Sequence, residues 1–191
     1  MRKIIHFVHQ SLDGYIEGPN GEFDWAAVGP ELSAYGRELD EQTDAVLYGR
    51  VVWEMMSAFW PQAESISDDP HDLAYAPIWR AKPKYVVSST LATADWNTTV
   101  IGANVGDEVR ALKQSPGKDI VLMGGATLAA GLARDGLIDE YRIVVHPVLL
   151  GGGRLLFEEQ QTRASLTLVQ TRSFDSHSVL LHLKTATALE E

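Results

Sequence analysis

Cysteine is missing from this chain altogether. Its absence excludes disulfides, a thiolate nucleophile and cysteine-ligated zinc, and it fits a reducing compartment. Positive charge is scarce as well: 16 lysines and arginines stand against 26 aspartates and glutamates, a formal charge of −10. A field of that sign repels nucleic acid and anionic lipid, so neither is expected as a partner. Any anionic ligand must then be held by local donors. Long apolar runs are lacking too. His6, His9 and Gln10 break the apolar start of the chain before a signal-peptide core is reached, and no stretch approaches the roughly 18 apolar residues of a membrane span. A soluble, cytoplasmic protein is expected. The six histidines show no metal-ligating spacing such as H-E-x-x-H, and neither a G-x-S-x-G elbow nor a G-x-x-x-x-G-K-[ST] loop occurs, which argues against metal, hydrolase and phosphoryl-transfer chemistry.

What is present is enough apolar material, 45% of 191 residues, to fill one core, so a single domain over 1–191 is expected. Short apolar runs at 4–8, 45–48, 85–87, 120–123 and 141–145 suit strands buried on both faces. Helical spacing lies between them, in Leu32, Tyr35 and Leu39; Val52, Met55, Met56 and Phe59; Val105, Val109 and Leu112; Leu128 and Leu132. This alternation means α/β. Beyond Gly151-Gly152-Gly153, alternating Leu166 and Leu168, then Val179, Leu181 and Leu183, predict two antiparallel strands at the edge of a mixed, mostly parallel sheet flanked by helices. The polar stretch 61–83, with Trp79, reads as an irregular surface excursion or lid. Residues 13–21 form a turn-rich loop straight after the first strand.

Two glycine-centred segments join strand to helix: Tyr48-Gly49-Arg50-Val51-Val52 and Met123-Gly124-Gly125-Ala126-Thr127. Strand, glycine and helix N-terminus together make a phosphate cradle, because unpaired backbone N–H groups and the positive end of the helix dipole meet there. Two cradles in one small domain point to a ligand with several phosphates, such as a dinucleotide. Arg50 can clamp a phosphate at the first cradle, or can simply pair with Glu54 one turn on. Ser88 and Ser89 add hydroxyls at a third strand end. Asp13, Glu17 and Asp24 are the carboxylates near this cleft, while Met55, Met56, Trp53 and Trp60 read as core and pocket wall.

Ser11-Leu12-Asp13-Gly14 after the first strand, Tyr48-Gly49-Arg50 opening a helix, Val86-Val87-Ser88-Ser89, Met123-Gly124-Gly125-Ala126-Thr127-Leu128 and Pro147-Val148-Leu149-Leu150-Gly151 together resemble the dihydrofolate reductase-like superfamily. The chain looks most like the C-terminal reductase domain of the bifunctional riboflavin-biosynthesis deaminase-reductase. The resemblance implies a three-layer fold, NADPH across the strand ends, and hydride transfer to a C=N or C=O bond of a small, pyrimidine- or pterin-like substrate. It places Gly49, Arg50, Val51 and Val52 at the phosphates, Ser88 and Ser89 beside the adenosine, Gly124, Gly125, Ala126 and Thr127 at the pyrophosphate turn, and His9, Ser11 and Ile16 beside the nicotinamide. The proton would come from Asp24, Asp13 or ordered water. Departures bear on the substrate: Ser33 stands near where folate reductases carry an acid, and Met123 precedes Gly-Gly where the riboflavin-pathway enzymes show glutamate. Thr127 replaces a cation near the 2′-phosphate, leaving that charge to Arg50. Dihydrofolate reduction and a non-catalytic NADPH-binding module are the alternatives. The apolar Pro147-Val148-Leu149-Leu150 segment and the edge strands, with the resemblance, imply a homodimer.

Overall fold

The first strand is apolar on both sides because helices cover both faces of the sheet it belongs to. In β1 (Ile4–Ser11), Ile4 and Val8 pack in one cluster with Val109, Ala129 and Leu132, whereas Ile5 and Phe7 pack in another with Leu32, Tyr35, Leu39 and Trp53. The computed structural model describes residues 1–157 and 163–186. Along the chain follow β2 (Tyr15–Glu17), α1 (Pro30–Gln42), β3 (Thr43–Gly49), α2 (Arg50–Phe59), α3 (Ala63–Ile66), α4 (Pro70–Ala81), β4 (Lys84–Val87), β5 (Thr98–Ile101), α5 (Val105–Gln114), β6 (Asp119–Met123), α6 (Ala126–Arg134), β7 (Glu140–His146), β8 (Arg154–Leu155), β9 (Leu166–Ser173) and β10 (Val179–Thr185). The main sheet runs β5-β4-β3-β6-β1-β7-β10-β9. Strands β5 through β7 pair in parallel, and β10 and β9 close the edge antiparallel. The expected mixed, mostly parallel α/β sheet is present.

One expectation needs correction, and one strand is an addition to the expected set. Residues 61–83 are not an irregular excursion: they carry α3 and α4, with Trp60, Ala63, Ala76 and Trp79 packed into a small core of their own. Asp69 caps α4 by accepting the His71 backbone N–H at 2.7 Å, and Pro70 sits where a missing N–H costs nothing. Pro77 inside the helix is what hid it, since an interior proline ordinarily breaks the pattern. Strand β5 was also not foreseen. Its Thr-Thr-Val-Ile is short and half polar, and it starts from a turn in which Trp96 and Asn97 both take positive φ.

One core residue conflicts with its surroundings. His6 on β1 is fully buried and its ring meets Tyr141 edge-on at 5.8 Å. Neither ring nitrogen has a hydrogen-bond partner. Burial pulls its pKa down from 6.5 to about 4. Above pH 6.5 the ring is neutral folded or unfolded; as pH falls from there towards 4, the unfolded chain binds the proton first and stability is lost. Replacing His6 with leucine removes two unsatisfied nitrogens at similar volume and should stabilise the fold by about 1–2 kcal/mol. It should also flatten the pH dependence between those values. Urea unfolding at pH 7 and pH 5 checks this; an unaltered difference between the two pH values would show that His6 is not the titrating group.

Candidate functional site

The carboxyl ends of the parallel strands lie along one edge of the sheet, the place where α/β folds bind ligands. Two cavities open there. The first, about 600 Å³, is walled by Gly49–Val52, Val87–Thr90, Gly102, Gly125, Thr127, Arg134 and Arg154. The second, about 610 Å³, is apolar and aromatic, walled by Phe7, His9, Ile16, Phe23, Leu32, Met55, Met56, Trp60, Tyr75 and Gly124 among others. They meet at Val52 and Gly125, which line both.

The glycine turns make the junction possible. Gly49 caps α2 and Gly125 caps α6, and neither helix start is capped by a side chain. A glycine cap carries no side chain to take up the first N–H groups or to keep a ligand away from them. Gly124 and Gly125 take φ of +72° and +79°, and a Cβ at Gly124 would lie 2.9 Å from a Val52 methyl, so a side chain is excluded by backbone and by space. Val52 is the residue that packs against this turn.

Arg50 makes the ion pair with Glu54 at 2.8 Å, both half exposed, and also lines the first cavity. Such an exposed i,i+4 pair is worth only ~0.3–0.5 kcal/mol, so the guanidinium is easily drawn to a phosphate. The idea that Arg50 alone supplies positive charge is corrected: Arg134 and Arg154 line the same cavity, and Arg154 Nη2 donates to Thr127 Oγ1. Thr127 thus carries no charge itself but holds an arginine. Sequence reasoning missed Arg154 because it arrives from β8, beyond the triple glycine.

The remaining expected residues divide. Val51, Ser88 and Ser89 line the first cavity and His9 and Ile16 the second. Ser11 and Ala126 are buried and line neither. Ser11 Oγ accepts the Tyr15 N–H at 2.9 Å and donates to Asp13 at 2.6 Å. Asp13 in turn accepts the N–H groups of Leu150 at 3.2 Å and Gly151 at 2.8 Å. The Ser11 hydroxyl, with those two N–H groups, holds the Asp13 carboxyl below the usual range. This carboxylate clasps the loop to the glycine segment, and the β2–β8 ribbon continues the clasp. Asp24 is exposed and lines neither cavity, although its neighbours Phe23 and Trp25 pack edge-on against each other, 5.2 Å apart.

Polar groups in the second cavity come from elements not foreseen as part of it. Ser33 Oγ bonds His71 Nδ1 at 2.9 Å and accepts from Arg37 at 3.0 Å. Asp40 is paired with Lys82 at 2.6 Å, yet burial outweighs that partner and raises its pKa. Asp72 accepts the Ser67 hydroxyl at 2.6 Å. His9 Nδ1 meets His146 Nε2 at 2.8 Å. Burial, reinforced by His146 and His71, pulls His9 down to about 3.

Residues 2–180 match the family model of the RibD C-terminal domain. The YyaP protein of Bacillus subtilis (strain 168) is 38% identical over 178 residues, covering 92% of this chain and 90% of that protein. Among solved structures, a candidate riboflavin biosynthesis protein of Shewanella sp. PV-4 superposes with TM-score 0.76 at 22% identity, covering 97% and 99% of the two chains. Dihydrofolate reductase from Enterococcus faecalis, complexed with NADP(H), superposes with TM-score 0.65 at 13% identity, covering 97% of each. The fold is therefore dihydrofolate reductase-like, as the sequence motifs implied.

Proposed function

The chain belongs to the RibD C-terminal domain family, and from that premise we propose that it is an NADPH-dependent reductase that transfers a hydride to a C=N or C=O bond of a small planar substrate. A reductase-type function fits the family, and the cofactor and substrate class are our reading. One observation supports it most: two helix N-termini, each capped by a glycine, stand at an arginine-lined cavity that runs directly into an aromatic one. The first cavity suits a dinucleotide's phosphates and adenosine, and the second suits a nicotinamide with its hydride acceptor. When bound, the cofactor would supply the hydride. The chain's own part is to orient the two rings and to exclude water between Ile16, Phe23 and Met55.

Within this reading, a pyrimidine-like acceptor is preferred to dihydrofolate. Ser33 is committed to His71 and Arg37, and Asp40 to Lys82, so the wall offers no unpaired carboxylate at Ser33 to take up a protonated pterin. Fluorescence titration with NADPH, then NADPH oxidation across pyrimidine, pterin and simple carbonyl compounds, tests the proposal. An absence of NADPH binding would remove it.

We propose further that the protein works in the cytoplasm as a homodimer. No helix of the described residues is long and apolar enough to cross a membrane. The edge strand β9 is exposed on both faces, with Leu166, Leu168 and Val169 open to solvent, and Leu149 is 69% exposed. Long, apolar sheet edges of this kind are ordinarily covered. Light scattering should give twice the chain mass of 21.0 kDa at micromolar concentration, as a standard interface of ~1,600 Å² would allow. A particle of one chain mass would show that the edge stays open.

A further inference from the structure

Hydride transfer to a C=N or C=O bond needs a proton as well, and the carboxylates first expected to provide it are elsewhere: Asp13 is spent on the loop clasp and Asp24 lines neither cavity. What the second cavity offers is one imidazole, His9, with a second, the fully buried His146, bonded behind it. His9 lies near the carboxyl end of β1 and His146 at the end of the adjacent β7. His9 Nδ1 and His146 Nε2 are 2.8 Å apart with the rings stacked 27° from parallel. Phe7 and Phe23 pack edge-on against His9, at 5.3 and 6.1 Å, and Trp25 against His146 at 5.6 Å. The aromatic walls fix both rings.

Two neutral imidazoles joined in this way hold one proton between them, and the tautomer of each dictates that of the other. Among the described residues, the sealed side-chain atoms without a partner are those of His6 and Nε of Arg142, and no nitrogen of His9 or His146 is among them. His9 Nε2 is the nitrogen left for the cavity that His9 lines; His146 is 1% exposed and lines neither cavity, so a water reaching its Nδ1 is part of what a relay through it requires. Burial pulls the pKa of both rings down, towards the neutral form, which suits passage of a proton more than its storage.

Resting on the reductase reading above, we propose that His9 and His146 form a proton relay and that His9 Nε2 protonates the substrate as it is reduced. As the acceptor bond takes a hydride with its two electrons, the cofactor being oxidised by two, the acceptor heteroatom takes the Nε2 proton of His9. His9 Nδ1 takes the Nε2 proton of His146, and His146 Nδ1 takes one from water. Both rings end neutral. After product leaves, water reprotonates His9 Nε2, the hop reverses, and His146 Nδ1 returns its proton to solvent. His9 is the catalytic residue and His146 positions it and feeds it.

The test compares two planar hydride acceptors with NADPH as donor: 9,10-phenanthrenequinone, which needs a proton, and the 10-methylacridinium cation, which does not. The ratio of quinone to acridinium rates should fall tenfold or more in His9→Gln and in His146→Gln. In the wild-type protein, ¹⁵N spectra of the imidazoles, recorded with NADP⁺ from pH 5 to 8, should show two neutral rings of single, complementary tautomer. A ratio unchanged in His9→Gln, a fall produced instead by Glu17→Gln, or two rings titrating independently near the ordinary 6.5 would overturn the relay. Where neither acceptor is turned over, or either variant fails to fold, the tautomers decide alone. Failure of the wild-type protein to bind NADPH would instead overturn the reductase reading.

Discussion

Glu140→Ala should destabilise the protein by about 3–5 kcal/mol, the cost of leaving a buried cation unpaired. Glu140 opens β7 and is 3% exposed. Its carboxylate receives Lys3 Nζ at 2.9 Å, Arg142 Nη2 at 3.0 Å and His182 Nε2 at 2.9 Å, which ties β1, β7 and β10 together. Arg142 reaches on to the Tyr35 hydroxyl of α1 at 3.3 Å. Without Glu140, Lys3 turns to solvent, but Arg142 is 7% exposed and its Nε already lacks a partner. The loss therefore measures Arg142 stranded, and a paired replacement by leucine at 140 and methionine at 142 should recover most of it. Urea unfolding of the single and double variants checks both statements. A double variant no more stable than Glu140→Ala would show that the pair supplies more than mutual neutralisation.

The same carboxylate gives the protein an acid limit. Burial alone would raise its pKa, but the hydrogen bonds and charges of Lys3 and Arg142 outweigh burial and take it from 4.5 down to about 2. The folded value is the lower one, so the stabilisation is complete above pH 4.5 and is lost as pH falls from there towards 2. His6 lowers stability in the same direction from higher pH, starting at 6.5. Acid unfolding should accordingly be broad and should narrow in the His6→Leu variant.

Strands that are apolar on both faces, such as β1, β3 and β6, are legible because burial by helices on two sides leaves little room for polar residues, His6 being an exception. The glycine turns are legible for a related reason: a positive φ at Gly124 and Gly125 is a demand on the backbone that few other residues meet. Helix α4 was hidden by Pro77, even though the Asp69-Pro70 start was there to be read. Side chains that converge from distant segments leave no such trace. Arg154 meets Thr127 across 27 residues, and His9 meets His146 across 137; the β1–β7 pairing brings the histidines together, while Arg154 stands on β8 of the separate β2–β8 ribbon. Ser33, His71 and Asp40 were scattered polar residues in sequence, and the packing of α4 against the α1 and α2 side made them one wall.

Removing both Arg50 and Arg154 should weaken NADPH binding a hundredfold or more if the first cavity holds the cofactor's phosphates. A charge-assisted hydrogen bond contributes ~1.5–3 kcal/mol, roughly ten- to a hundredfold in affinity for each arginine. The protein's −10 charge leaves no general attraction to compensate. The two arginines come from different places, Arg50 from the start of α2 and Arg154 from β8, so their contributions should be close to additive unless they share one phosphate. Comparing NADPH with NADH locates each. An arginine on the 2′-phosphate costs NADPH alone, whereas one on the pyrophosphate costs both cofactors alike. Arg154 is bonded to Thr127 on the first turn of α6, so Arg154→Ala also tests whether that turn needs its cation; Thr127→Val, which removes the hydroxyl and keeps the arginine, separates the two effects. Calorimetric titration of both cofactors into the wild type, Arg50→Ala, Arg154→Ala, the double variant and Thr127→Val gives the answer. NADPH affinity within twofold of wild type in a correctly folded double variant would mean that the two glycine cradles are turns and nothing more, and the hydride-transfer reading would go with them.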